Sequence, residues 1–137
     1  MNNPIGTLFT LTGATVAIVF GLVYLFRSKF MGYHRMAVQK DWNDLSHEMQ
    51  TLILALMRTA GGGFLSVSIG VIILQLQFNN SQNHWIALAI LIVGSILTLG
   101  ILYATILVRT KTKGRPPTFA ALLLLILLLL GYFFNIM

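Results

Sequence analysis

The sequence of 137 residues contains no cysteine and only three acidic residues. The missing cysteines exclude disulfide bonds, thiolate metal sites and cysteine nucleophiles. All three acids, Asp41, Asp44 and Glu48, lie in one polar stretch, so none falls within a long apolar segment. Transporters coupled to protons or sodium commonly carry a carboxylate inside the membrane. The position of the acids therefore argues against coupled cation transport.

Charged residues make up 9% of the chain and hydrophobic residues 57%, a composition too apolar for a soluble domain. The length leaves room for one domain, so we predict a single four-helix transmembrane domain over residues 1–137. The net charge of +6 comes from Lys and Arg that flank apolar segments, not from an exposed basic face. We therefore expect the lipid bilayer and anionic lipid headgroups as partners, and not nucleic acid.

Four segments are long and apolar enough to cross a bilayer core of about 30 Å as helices. They cover residues 5–26, 52–76, 85–108 and 118–135. Residues 28–50 form the one extended polar stretch, where Met36, Val38 and Trp42 predict a loop held against the membrane or the bundle end. The predicted fold class is all-α: a polytopic membrane protein of four transmembrane helices with a cytoplasmic amphipathic loop between helices 1 and 2.

Lysine and arginine give the predicted orientation. All nine lie in or beside the first and third connections, whereas both termini and the connection 77–84 carry none. The positive-inside rule then places residues 27–58 and 109–117 in the cytoplasm and the N- and C-termini outside. We expect a multi-pass protein of the bacterial inner (plasma) membrane.

The second apolar segment carries an arginine and several small residues at helical spacing, on a helix expected to begin near Ser46. The structural or path-lining candidates are Arg58, Gly61, Gly62, Gly63, Ser66 and Gly70. One interpretation is a packing seam along Gly62, Ser66 and Gly70, with Arg58 anchored at the cytoplasmic interface. The other is a flexible or unwound point at 61–63 that lines a path for an anion or a substrate.

Small residues also recur along the first segment, at Thr10, Gly13, Ala17 and Gly21, which predicts a packed face. The fourth segment is dominated by leucine and lacks a face of small residues before Gly131. A helix that is apolar on all sides suits a lipid environment. We therefore expect the fourth helix at the periphery and the first three helices in the contact core.

The polar loop holds the candidates for chemistry, which are His34, Asp41, Trp42, Asp44, His47 and Glu48. Imidazoles and carboxylates bind metals and transfer protons, so a metal site or acid–base chemistry is one interpretation. The other is that the acids pair with Arg35, Lys40 and Arg58 and fold the loop onto the bundle. The spacing matches no metal-ligand, phosphate-loop or dinucleotide motif, so we predict no metal and no cofactor and assign no catalytic residue.

Several short motifs occur together, namely Tyr33-His34, Trp42, Leu45, Gln50, LALMR at 54–58, the glycines at 61–63 and GRPP at 114–117. With these motifs the chain resembles a family of uncharacterised small bacterial integral membrane proteins. The resemblance covers most of the chain and implies a four-helix bacterial membrane protein, without an activity or catalytic residues. The size also fits the small multidrug resistance transporters, but the glutamate on which these depend is missing from the first segment.

The leading functional hypothesis is a small accessory subunit or a self-assembling membrane scaffold, because small-residue faces are present and a clear catalytic set is not. This hypothesis predicts a homo-oligomer or a complex with a larger membrane protein. One alternative is an oligomeric channel or passive transporter for a small solute or anion. The other is a membrane-embedded enzyme that uses the cytoplasmic histidine and acid cluster.

Overall fold

The structure, a computed structural model, describes residues 4–137, and helices account for most of them. The helices are α1 (Pro4–Phe26), α2 (Gly32–Val38), α3 (His47–Ser81), α4 (His84–Lys111) and α5 (Thr118–Ile136), with a 3-10 turn at Trp42–Asp44. Four of them, α1, α3, α4 and α5, are long and apolar enough to cross a membrane. The predicted all-α fold with four transmembrane helices is confirmed, and the chain is a multi-pass membrane protein.

Capping residues set the ends of α3. The Ser46 hydroxyl accepts a hydrogen bond from the Met49 N–H at 3.3 Å, which confirms the predicted start of this helix. At the other end Gln82 adopts a left-handed φ of 56°, and Asn83 then caps α4. With 35 residues α3 is about 52 Å long, so it extends well beyond a bilayer core of about 30 Å.

The four long helices form a ring in which each packs against two neighbours. α1 packs against α3 and α5, and α4 packs against the same two helices, so α1 and α4 are diagonal to each other. The first and third connections meet at one end, where Lys113 Nζ donates to Gln39 Oε1 at 3.2 Å. We call this the basic end, because all nine Lys and Arg residues lie in or beside these two connections. The opposite end, where α1 begins and α5 ends, is the far end.

α1 packs through small residues, as the sequence predicts, and Thr10, Ala17 and Gly21 are buried. A Cβ atom at Gly21 would lie 3.1 Å from the carbonyl oxygen of Gly61 in α3. A Cβ atom at Gly61 would lie 2.8 Å from the carbonyl oxygen of Gly21. Close backbone approach of this kind supplies much of the contact between helices in lipid. The α1–α3 crossing therefore depends on these two glycines.

The prediction that the fourth helix lies at the periphery is wrong. α5 packs between α1 and α4, and its residues Ala121 and Leu128 are buried. A Cβ atom at Gly94 of α4 would lie 2.8 Å from Leu128, and one at Gly131 would lie 3.2 Å from the backbone nitrogen of Thr10. Lipid tails and bundle interiors are similarly apolar, so a leucine-rich helix suits both environments. The packing of α5 against α1 and α4 therefore depends on a few small residues, which include Gly94 and Gly131, and not on the leucine content of the helix.

Candidate functional site

The outward face of α3 carries the small-residue stripe predicted from the sequence. Ser66 is exposed, and Gly62 and Gly70 are partly exposed. No neighbouring helix of residues 4–137 comes within 4 Å of a Cβ atom built at Gly62 or Gly70. The stripe is therefore not used in the packing of the single chain, and its role as a seam between chains stays a prediction.

The three consecutive glycines lie in three different environments, because successive residues of a helix point in directions about 100° apart. α3 is continuous through residues 61–63. Gly61 is buried against α1, Gly62 faces outward, and Gly63 lines a groove between α3 and α4. The helix is thus intact at the point where one interpretation of the sequence placed an unwound segment.

Arg58 lies at the level where α1 ends. It is exposed and stands one turn before Gly61, whose nearest neighbours include Tyr24 and Leu25 in the last turns of α1. Since α1 ends at Phe26, Arg58 is close to the boundary of the apolar layer. A long arginine side chain at that depth reaches the lipid headgroups. This placement favours the interpretation of Arg58 as an interfacial anchor.

The acids of the polar loop take part in local structure. Arg35 Nε lies 2.6 Å from Asp41 Oδ1 in an exposed ion pair, as expected for acids that fold the loop. The Asp44 carboxylate accepts a hydrogen bond from the Asp41 N–H at 3.3 Å and closes the 3-10 turn. Exposed ion pairs contribute about 0–1 kcal/mol. These contacts shape the loop more than they stabilise the fold.

Trp42 connects this loop to the start of α3. Its ring lies edge-on against buried Phe30, with the ring centroids 5.1 Å apart. Gln50 Nε2 donates to the carbonyl oxygens of Trp42 at 2.8 Å and Leu45 at 3.2 Å. The side chain of Gln50 thus bonds the Leu45 carbonyl and gives the Trp42 carbonyl, which also accepts from the Leu45 N–H, a second hydrogen bond.

The six predicted candidates for chemistry do not converge at one point. His47 and Glu48 are exposed in the first turn of α3, whereas His34 is half-buried on α2. Within residues 4–137 no group of three or more His, Asp or Glu side chains is placed to hold a metal ion. Asp41 and Asp44 line an open space of about 550 Å³ beside α2, but neither His34 nor His47 lines it.

The inner face of α2 packs onto the basic end. The Tyr33 and Tyr24 hydroxyls share a hydrogen bond, and burial raises the pKa of Tyr33. His34 Nδ1 accepts from the Met31 N–H at 3.3 Å, and burial lowers the pKa of His34. Gly114 of the third connection is packed so closely that a Cβ atom there would lie 2.9 Å from the Tyr33 carbonyl oxygen. The two connections therefore form one packed layer.

A groove lies between α3 and α4 beside this layer. It has a volume of about 540 Å³ and opens to the side of the bundle. Gly63 and Gly100 contribute to its walls, and His34 lies at its head. An adjoining space of about 280 Å³ shares His34 and Val108 with it. These volumes are comparable with those of small-molecule sites, which are about 300–1,000 Å³.

A network of polar side chains at the far end was missed by the sequence analysis. Gln75 is fully buried, and its Nε2 donates to Asn79 Oδ1 at 2.9 Å and to Thr7 Oγ1 at 3.2 Å. Asn135 Nδ2 donates to Gln75 Oε1 at 3.0 Å. Gln75 lies in the apolar segment 52–76 and Asn79 follows four residues later, so the two amides share a helix face, a pattern that favours interhelical hydrogen bonds. The network joins α1, α3 and α5.

A cavity of about 40 Å³ lies at the centre of the bundle, and Thr10, Ser68 and Thr98 contribute to its lining. The Thr10 and Thr98 hydroxyls donate to backbone carbonyls one turn earlier in their own helices. The Ser68 hydroxyl has no hydrogen-bond partner in the part of the chain that the structure describes. A space of this size admits only molecules about as large as water.

Three features thus distinguish the molecule: the outward stripe on α3, the groove between α3 and α4, and the polar network at the far end. A comparison with protein-family models, with curated proteins and with solved structures finds no match for this chain. The function is therefore inferred from the geometry of residues 4–137.

Proposed function

We propose that this protein is a self-assembling scaffold of the bacterial inner membrane, in which copies associate through the outward face of α3. In this proposal the basic end faces the cytoplasm and both termini lie outside. The orientation is supported by the nine Lys and Arg residues in or beside the two connections that meet at the basic end. The bacterial membrane is proposed from the resemblance to small bacterial membrane proteins.

The observation that carries the proposal is the small size of the side chains on this face. Between residues 55 and 66 the middle of this face consists of Ala55, Thr59, Gly62 and Ser66, all exposed or partly exposed, and Arg58 lies at its edge. The outward faces of α4 and α5 carry large apolar side chains instead, which include Ile96, Leu99, Tyr103, Leu122, Ile126 and Leu129. The large exposed side chains of the α3 face, Leu52, Ile69 and Ile73, lie before and after this stretch, so residues 55–66 of α3 allow the close approach of another helix backbone.

Glycine is an unfavourable residue on a helix face that contacts nothing. In the middle of a helix it is about 0.8–1 kcal/mol less favourable than alanine. Gly21 and Gly61 offset this loss with the α1–α3 crossing, but Gly62 makes no such contact within residues 4–137. Contact with a second copy of the chain supplies the missing compensation.

The spacing of the outward residues suits a pair of parallel helices. Positions 52, 55, 59, 62, 66, 69 and 73 follow one another at alternating steps of three and four, and each is exposed or partly exposed. This heptad spacing is typical of left-handed helix pairs that cross at about 20°. Copies inserted in the same orientation meet in parallel, so the same face of each copy forms the contact.

The proposal is tested by the mass of the particle extracted in native lipid nanodiscs, measured by native mass spectrometry. The parent is expected to be a homo-oligomer, and Gly62→Leu is expected to be a single folded chain. The open space around Gly62 accommodates leucine in the monomer, so a folding defect is not expected. Thr15→Leu, on the outward face of α1, is the matched control and should keep the oligomer.

A parent that is extracted as a single chain contradicts the proposal, as does an intact oligomer of Gly62→Leu. Co-extraction with a larger membrane protein would instead identify an accessory subunit. In that case the loss of the larger protein from Gly62→Leu, but not from Thr15→Leu, would place it on the same face of α3.

A passive channel for a small anion is the second candidate. Arg58 and Ser66 lie on the outward face of α3, so a ring of copies that turns this face inward places a cation and a hydroxyl along its axis. Anion flux into liposomes tests this possibility, with Arg58→Ala beside the parent. Absence of flux through the parent across a panel of small anions would exclude it.

A further inference from the structure

The groove between α3 and α4 is a second surface where the fold leaves small residues without contacts. Gly63 and Gly100 line it, and no other helix of residues 4–137 comes within 4 Å of a Cβ atom built at either. Ala60 and Ala104 are exposed on the same two walls. Because glycine disfavours helix formation, two glycines beside one open space indicate that the space itself is needed.

The walls of the groove are apolar and belong to membrane-spanning helices. They include the side chains of Phe64, Leu97 and Ile101. The groove lies in the half of the bundle next to the basic end, beside the acyl chains of one leaflet. A hydrocarbon chain is therefore the chemical group that fits the walls.

The head of the groove carries hydrogen-bond donors. Tyr24 and Tyr33 share one hydrogen bond, in which only one of the two hydroxyl hydrogens is used. Since His34 Nδ1 accepts from the Met31 N–H, the neutral imidazole carries its proton on Nε2. An apolar groove with donors at one end matches an amphiphile whose head accepts hydrogen bonds.

The charges around the groove favour an anion. Lys111 lies on the same face of α4 as Ala104 and Val108, at steps of three and four residues. The carboxylates of Asp41 and Asp44 line a different surface of α2. The helical spacing thus directs one cation, Lys111, toward the head of the groove, and Asp41 and Asp44 lie on another surface.

We propose that the groove binds one anionic phospholipid from the leaflet at the basic end. An acyl chain lies along Gly63 and Gly100, and the phosphate is held by Tyr33, His34 and Lys111. A second protein chain in the groove would leave these donors without an acceptor, so lipid is the better occupant. The groove and the outward stripe of Gly62 and Ser66 lie on different faces of α3, so this site does not depend on self-assembly.

The test uses the full chain in detergent micelles, titrated with phosphatidylglycerol or with phosphatidylcholine of the same acyl chains. Native mass spectrometry counts the lipids bound to each chain. The parent is expected to bind one phosphatidylglycerol about fivefold or more tightly than phosphatidylcholine, the effect of one basic residue beside an anionic lipid. Lys111→Gln is expected to remove this preference without weakening the binding of phosphatidylcholine.

Gly63→Leu and Gly100→Leu fill the groove from opposite walls, and each is expected to weaken the binding of phosphatidylglycerol about tenfold or more. Thr15→Leu is the matched control, because it adds a leucine at an exposed position of α1 that lies outside the groove. It should bind like the parent. Equal affinity of the parent for the two lipids would overturn the proposal, and so would unchanged binding in both groove variants.

Discussion

The side-chain amides of Gln75 and Asn135 hydrogen-bond to each other in both directions, with N···O distances of 3.0 Å and 3.4 Å. The two residues belong to α3 and α5, which lie diagonally across the ring of helices. Both side chains are buried. Because a buried amide without a partner loses the hydrogen bonds that it makes in water, the mutual pairing removes a large penalty for each. The pair therefore ties the far end of the bundle together.

Gln75→Leu is expected to destabilise the protein by about 1–2 kcal/mol, because it leaves the Asn135 side chain without its partner in an apolar interior. Unfolding in mixed micelles at increasing dodecyl sulfate measures this difference. Asn80→Leu, an exposed position on the same helix, is the control and should change stability by less than about 0.5 kcal/mol. Equal losses in the two variants would contradict a structural role for the amide pair.

Gly61 and Gly62 are adjacent in the sequence and are expected to respond to alanine in opposite ways. Gly61→Ala places a methyl group 2.8 Å from the Gly21 carbonyl oxygen and should destabilise the α1–α3 crossing by about 1–3 kcal/mol. Gly62→Ala meets open space among the described residues and should stabilise α3 by up to about 1 kcal/mol. The same unfolding assay compares both with the parent in the monomeric state. A similar response of the two variants would show that Gly61 is not the residue at the crossing.

The number and type of the membrane helices were predictable because length and hydropathy are properties of the chain alone. The first and last predicted spans, 5–26 and 118–135, agree closely with α1 and α5. α3 is longer than the predicted span 52–76 because hydropathy marks only the apolar part of a helix. The helix continues beyond the apolar part at both ends, as far as the capping residues Ser46 and Gln82.

The packed faces were harder to predict. Each residue turns a helix by about 100°, and a step of four residues drifts by about 40°. The series that begins at Arg58 therefore moves around α3, and its small residues lie on the outward face, whereas Gly61 meets α1. More than one face of α3 carries small residues, and the sequence does not show which of these faces packs against another helix.

The groove and the far-end network were beyond sequence reasoning for a different reason. Both are assembled from residues that are distant in the chain, such as Tyr33, Gly63 and Gly100 in the groove. Gln75 and Asn135 are 60 positions apart. Such sites depend on the order of the helices around the ring, which the sequence alone did not provide.

Ser68→Ala is expected to leave the stability unchanged or to raise it by up to about 1 kcal/mol. The Ser68 hydroxyl is buried and has no hydrogen-bond partner within residues 4–137, so its removal relieves a desolvation penalty. Thermal unfolding in detergent measures the change. Ser66→Ala, on the exposed face of the same helix, is the control and should have no effect in the monomer. A clear loss of stability in Ser68→Ala alone would show that this hydroxyl has a partner in the membrane.

The half-buried imidazole of His34 makes the docking of α2 sensitive to pH. Burial lowers the pKa of His34 below its usual value of 6.5, so the unfolded loop binds a proton at a higher pH than the folded loop does. Neutral His34 contributes fully to the free energy of unfolding above about pH 6.5. This contribution declines as the pH falls from that value toward the pKa of His34 in the folded protein, because the unfolded state then binds more protons than the folded state. The pKa of neighbouring Tyr33 is raised by burial, so its hydroxyl stays uncharged in this range.

The melting temperature of the parent in detergent is therefore expected to fall between about pH 7.5 and about pH 5.5, the range in which histidine titrates. His34→Phe keeps an apolar ring at the head of the groove and should show a smaller fall, since it binds no proton. His47→Gln is the control, because His47 is exposed at the start of α3 and is not packed against the groove. If the melting temperature fell equally in His34→Phe and in the parent, a group other than His34 would be responsible for the acid sensitivity. A parent that became more stable on acidification would contradict the burial of His34 as a neutral imidazole.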